Sequence, residues 1–506
     1  MRNWLKTTII AAAMVLLATQ VEAQRLIEYT SGMGARDAEN PDVWILYSKV
    51  RATHDDMTLW ADSALLNTAV NDFTAFRNIV IELSDTTHIY GDRLYYDGNS
   101  RVANIWADTV VLVDGNTMLF TNHITYDRNR SVAYYTEWGH GESNQRTLDS
   151  RSGLYNAELK EFFIHGDVVL TDSSSRLLTD TLTYNTVTSL ASFSSPTNIY
   201  TDSTHIYSEL GTYNTENRFA VSHRASHVTN RDGELAADTL IYDEGYEWAE
   251  GFGHVAINQP DNGLACYGHY GLWRGKERYS YVTGRALATY AEKPEDDSLY
   301  VHADTIWLTL DSARNVSSVF AYAHVKAFRT DVQALCDSAH YRVADSVALL
   351  FGSPTLWNEG YQCQADTIEL HHDSTGVTMV YLRTDCKTMQ RLDPEKFNLL
   401  KGKQGVVHFA GGEPTFADIL GNAQMVFHIT EEDSTGNESV VGVNVGVGSD
   451  MRIYFDSTRA PRRMVAFGKP DMRTFPLDKL PDEPRQLHTQ WLGSKRPAKP
   501  EDIFEW

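Results

Sequence analysis

Cysteine is scarce in this chain: four residues in 506, at Cys266, Cys336, Cys363 and Cys386. That is too few for a disulfide framework, and the spacing is not that of a metal site. Buried free thiols are expected, with Cys336 and Cys363 on the same face of neighbouring repeats. Proline is also sparse, and five of the 14 prolines fall in the last 31 residues. Long apolar runs are missing beyond the N-terminus, where nothing approaches the ~18 residues a membrane-spanning helix needs. Positive charge is in deficit, with 44 Lys and Arg against 67 Asp and Glu, for a net charge of −23. Phosphate contacts need a basic surface, so nucleic acid is excluded as a partner. General adhesion to an anionic membrane is excluded likewise, so an anionic lipid would be held mainly through its hydrocarbon part. No Gly-x-Ser-x-Gly elbow, Gly-rich phosphate loop or His-Glu-x-x-His motif occurs, and no catalytic residue, metal or cofactor is assigned.

What is present is a period. An Asp or its stand-in recurs about every 29 residues, at Asp62, Asp92, Asn122, Ser152, Asp180, Glu209, Asp238, Gly268, Asp304, Asp337 and Asp366. Two and four positions after most of them stand apolar or aromatic residues: Leu94 and Tyr96, Ile124 and Tyr126, Leu182 and Tyr184, Leu240 and Tyr242, Ile306 and Leu308, Ile368 and Leu370. A two-residue step places each pair on one face of a strand. Midway lies a second marker, a small or turn residue followed by its own alternating pair, as in Gly166 with Val168 and Leu170, and Gly253 with Val255 and Ile257. Ser195 and Arg224 carry the same marker through the gap.

Such a period means one supersecondary unit copied many times, an array that absorbs some 340 residues without an internal boundary. Each half-repeat holds a strand and an Asp, Asn, Ser or Gly turn, as in Tyr95-Tyr96-Asp97-Gly98-Asn99. No helical periodicity with caps appears in the array. The fold class is all-β, an elongated twisted β-jellyroll, solenoid-like, of about eleven repeats.

Along the chain, residues 1–23 read as a signal peptide, with Arg2 and Lys6, an apolar Ile9–Leu17 and a cleavage site after Ala23. After cleavage no transmembrane span remains. A polar lead covers 24–42, the repeat array 43–390, a further β-rich region 391–475 and a Pro-rich extended tail 476–506. In the β-rich region, Leu392–Gly402 is expected as a helical or turn insert. His88 and His205 read as surface strand residues, and His371-His372 as a solvated pair.

The repeat acids invite a glycosidase reading, since such enzymes use paired carboxylates. An Asp replaced freely by Asn, Ser, Glu or Gly is better read as a turn or strand-entry residue serving its local backbone. The apolar faces remain. They are either a closed core or a trough for acyl chains, because core and groove use the same residues.

The segment Ala237-Asp238-Thr239-Leu240-Ile241-Tyr242-Asp243, followed by Gly253-His254-Val255-Ala256-Ile257, resembles the repeat of the OstA-like family of periplasmic lipopolysaccharide transport proteins, LptA-type bridges among them. Val50–Leu66, Ala75–Ile81 and Ala365-Asp366-Thr367-Ile368 fit it too, and the likeness covers most of residues 43–386. The resemblance implies a partly open jellyroll whose interior holds the acyl chains of lipid A. It also implies sheet ends that join other jellyroll transport proteins edge to edge. Carried onto matching positions, the lipid-facing residues are the six pairs above with Val255 and Ile257. The expected place is the periplasm, with outer-membrane association. The array is far longer than usual for the family's bridges, and no barrel-sized segment follows it. The rival from another class is a structural or adhesive β-solenoid with a closed core.

Overall fold

The computed structural model describes residues 26–260, 263–291, 293, 297–374, 376–432, 438–479 and 489–505. The signal-peptide reading lies outside the described residues. Within them the chain is a succession of antiparallel strands with three short 3-10 turns near the C-terminus. No described helix is long and apolar enough to cross a membrane. The chain divides into two units, one running to Asp202 with Ser208–Asn217, the other comprising Ser203–Tyr207 and the chain from Arg218.

Both units are built the same way. A typical strand is 11 to 13 residues long and pairs with its sequence neighbours along its whole length, but it bends in the middle. At the bend, two residues in the left-handed region face one residue on the next strand, the two-against-one pattern of a β-bulge. Ser48 and Lys49 (φ 60° and 48°) face Asp62, and Arg77 and Asn78 face Asp92. Gly166 and Asp167 face Asp180, Arg224 and Ala225 face Asp238, and Ala323 and His324 face Asp337. Each bent strand thus contributes to two sheets, here called arms, that meet at a corner. At Gly166, Arg224 and Gly253 the second marker of the sequence is this bulge, with the repeat position across from it, while at Ser195 the chain breaks instead between strands Leu190–Phe193 and Thr197–Thr201.

The register corrects two stand-ins. Gly284 and Arg285 face Asp304, while on the preceding strand the residue opposite Gly253 and His254 is His269, not Gly268. Strand Ser152–Asn156 starts one residue past the corner, so Arg151 rather than Ser152 fills the Asp position, and its guanidinium pairs with Asp167. The pattern runs on beyond residue 390, where Thr384 and Asp385 face Lys403, and Gly421 and Asn422 face Ser449. Leu392–Lys396 is a turn closed on the Asp393 carboxylate, not a helix, and strand Phe397–Ala410 follows directly.

Part of the polar lead is also strand. Glu28–Thr30 and Met33–Arg36 both pair with Val43–His54. The tail is not simply extended. Past the undescribed residues it crosses the outer face of the second unit, with 3-10 turns at Gly493–Lys495 and Pro500–Phe504. Trp491 packs on Met389, Leu399, Val426 and Val443, and Leu492 N–H donates to the Gln362 Oε1 at 2.7 Å. Arg496 donates to Gln333 Oε1 at 2.6 Å, and the Phe504 ring lies 4.7 Å from that of His302. This cover buries polar side chains, Lys326 and Gln362 among them, that an outward face would otherwise expose.

Candidate functional site

Inside the corner, each arm presents alternate residues to the other. One arm carries a file Ile81, Ile89, Leu112, Leu119 on neighbouring strands. On the other, Tyr96, Ala103, Tyr126, Ala133 and Tyr155 follow one another strand by strand, and beyond them Tyr184, Ala191 and Tyr213. The second unit repeats the motif as Ala220, Tyr242, Ala249. Alternating a large ring with a methyl lets adjacent side chains interdigitate at interior density.

Of the expected lipid-facing residues, Leu94, Tyr96, Ile124, Tyr126, Leu182, Tyr184, Leu240, Tyr242, Val255, Ile257, Ile306, Leu308 and Ile368 all point inward and are at most 5% exposed. Leu370 is half-buried. Each unit brings its own members into one interior, and that interior is closely packed.

The tyrosines do more than fill space. They stand near the free ends of their arm, and several hydroxyls reach across to the opposite arm. Tyr96 OH is 2.6 Å from His54 Nδ1, Tyr155 OH donates to Asp114 at 2.7 Å, and Tyr242 OH lies 3.1 Å from Thr204 Oγ1. Burial pushes the Tyr126 and Tyr135 phenols up to about 12. They stay neutral donors at any ordinary pH. The Asp or Asn after Tyr96, Tyr126, Tyr155, Tyr184 and Tyr213 serves the hairpin tip: Asp97, Asp127, Asn156, Asn185 and Asn214 each accept the N–H two residues on, at 2.8–3.0 Å.

Opposite the corner, where the hairpin tips of the two arms meet, lies the mouth. Ion pairs bridge it. Asp55 accepts from Arg128 at 2.9 Å and from Arg101 at 3.1 Å. Asp114 accepts from Lys160 at 2.6 Å as well as from Tyr155 and Thr87. In the second unit Arg314 joins Asp232 (2.9 Å) to Glu247 (3.1 Å), and Arg459 joins Glu359 to a bidentate Glu413 (2.6 and 2.8 Å). Burial holds the Asp232 carboxyl above the usual carboxylate range even with Arg314 beside it. No spacing in the sequence signals these bridges, and a Tyr-Asp or Tyr-Asn pair stands ahead of only the tips that carry Arg101, Arg128, Lys160 and Glu247.

The repeat acids sit at the opposite side, on the outside of the corner. Asp238 contacts His254 at 2.7 Å, Asp304 contacts His324 at 2.9 Å, and Asn78 donates to Asp62 at 2.8 Å. They are exposed and serve the bulge, as the turn reading expected. Asp238→Asn should therefore change stability by no more than about 0.5 kcal/mol in a denaturant titration, since exposed pairs contribute little. His371 and His372 are half-buried and bound to Glu369 (2.7 Å) and Tyr341 (2.9 Å). Three thiols are buried and that of Cys363 is half-buried, none in a disulfide. Burial pushes Cys266 and Cys336 up to about 12 and Cys363 to about 11, so they are unreactive where they stand.

Comparison with known proteins agrees with the sequence likeness. Residues 25–172 and 163–238 match the family model described as OstA-like protein. No curated protein matches the chain. Among solved structures it is similar to LptH, the LptA-homologous periplasmic component of the lipopolysaccharide transport device of Pseudomonas aeruginosa. The identity is 14% and the TM-score 0.21, over 24% of this chain and 81% of that one. Over residues 25–238, less than half of its length, the chain is thus similar to the OstA-like family.

Proposed function

We propose that this protein is a non-enzymatic periplasmic carrier of lipopolysaccharide. It is exported by the signal at residues 1–23, takes the acyl chains of lipid A into the jellyroll interior and passes them toward the outer membrane. The observation that carries this reading is the coincidence of an OstA-like match with an interior walled by Leu, Ile and the ringed face of Tyr. Each CH₂ brought from water into such a wall is worth about 0.8 kcal/mol, so a few acyl chains supply ample affinity without a basic surface. The reading requires the two arms to part, because the wall residues now pack on one another. Exposed edges such as strand Met33–Arg36 would take a strand from another jellyroll protein, the sheet-edge mode of assembly.

The low exposure of the same residues favours a second reading, a structural β-solenoid whose closed core takes no ligand. One experiment separates the two. A photo-activatable phenylalanine analogue at Tyr184 or Tyr242 should label lipopolysaccharide on irradiation, and the same group at exposed Tyr95 should not. Inert interior positions would leave only the solenoid.

A further inference from the structure

The ion pairs are placed oddly for a chain that needs only a stable core. Charges taken out of water in pairs are commonly no better for stability than well-packed apolar groups. Yet they recur at the mouth in both units, and each joins tips of opposite arms. In three of the four bridges the cation stands in front and the acid behind. The Lys160 side chain is 38% exposed against 1% for Asp114, and Arg101 is 38% exposed against 12% for Asp55. Arg314 is 19% exposed and Asp232 only 2%. The outermost bridge, Arg459 with Glu359, has the reverse order. Asp232 is also incompletely satisfied, since its Oδ1 is buried with no hydrogen-bond partner. At Lys160 and Arg101 an anion that approaches the mouth from solvent therefore meets the cation first, whereas Arg314 stands behind the more exposed Glu247 and Arg128 behind Asp56, on a protein whose net charge is −23.

We propose that these bridges are latches, and that an anionic amphiphile opens those of the first unit by taking Arg101 and Lys160 onto its phosphate groups while its acyl chains slide between the arms. The exchange is one of partners only: each cation leaves a carboxylate for a phosphate, and no bond is made or broken. Planar guanidinium suits bidentate binding to phosphate, and ammonium serves as a point charge. The proposal rests on the lipid-carrier reading and adds a headgroup subsite to it.

The test uses the full-length protein and two probes, purified lipopolysaccharide and the same material with its phosphates removed. Wild type should prefer the phosphorylated form. Lys160→Gln and Arg101→Gln should each weaken binding of the phosphorylated form about tenfold, the scale of one lost charge-assisted hydrogen bond, and leave the dephosphorylated form unchanged. Asp114→Asn, which frees Lys160, should strengthen it by a few-fold. Arg101 is exposed enough that its substitution leaves folding intact, which keeps the test open should Lys160→Gln unfold. If cation and acid variants shift binding alike, or if wild type binds both probes equally, the latch is wrong while the carrier stands. If wild type binds neither probe, the carrier reading falls and takes the latch with it.

Discussion

Arg314→Ala should lower the stability of the second unit by about 3–5 kcal/mol near neutral pH, the usual cost of stranding one partner of a buried ion pair. Across the mouth Arg314 is the main cation facing Asp232, whose side chain is 2% exposed, and it also pairs with Glu247 on its own arm. Without it two carboxylates share a desolvated site. The pH dependence has a definite sign. The folded-state pKa of Asp232 is already raised, chiefly by burial, so the folded protein binds that proton more tightly than the unfolded chain does. Stability from this group is therefore full below the ordinary carboxylate range and is lost as pH rises through the folded value. Removing the arginine raises that value further, and the deficit of the variant should shrink steadily as pH falls from 7 toward 4. Hydrogen exchange in strand Gly233–Asp243, read against strand Thr117–Asp127 of the first unit, measures the effect where it arises, since a repeat array need not unfold in one step. Equal loss at pH 7 and pH 4 would show that Asp232 is not the group responsible. Replacing both partners, Asp232→Leu with Arg314→Met, should recover most of the loss.

Trp357→Ala should cost about 3–5 kcal/mol, the range for deleting a fully buried large ring, and should also release the C-terminal tail. Trp357 is fully buried on the outer face of its sheet and donates through Nε1 to Gln362 Oε1 at 2.9 Å. The same oxygen accepts the Leu492 N–H, while Gln362 Nε2 donates to Gln490 carbonyl at 2.8 Å. The indole thus holds in place the amide that fastens the tail. Proteolysis within residues 489–505 should become fast in the variant at temperatures where the strands are still protected. A variant that loses stability but keeps a protected tail would show that Trp491 and Phe504 hold the segment without help from Gln362.

Much of this was legible in the chain itself. The 29-residue period and the two-residue step within it are local, and both survive as strands and inward faces because alternation along a strand needs no knowledge of its partner. The sequence marks the corners at Gly166, Gly253 and Arg224, whereas Ala323-His324 adopts the same left-handed geometry with no glycine and no mark in the sequence. Arg151 and His269 could not be recognised as occupants of the Asp position, since they share its place in the register but none of its chemistry. The mouth was hidden for a different reason. Asp55 and Arg128 are 73 residues apart, Asp232 and Arg314 82, and neither pair falls on a multiple of the repeat that would link them in the sequence. The prolines of the tail predict an extended segment, yet a few well-spaced side chains, Trp491, Leu492, Arg496 and Phe504, suffice to dock it.

The make-up of the corners has a mechanical consequence. A residue with a side chain has only a small allowed basin at positive φ, while glycine has a broad one. A bend made by Ser48-Lys49, Arg77-Asn78 or Arg224-Ala225 is therefore a stiff spine, whereas one that includes Gly166, Gly253, Gly284 or Gly421 is compliant. Within each unit the angle between the leaves is thus graded from repeat to repeat, and flexing is concentrated at the glycine corners while the repeats beside them keep their shape.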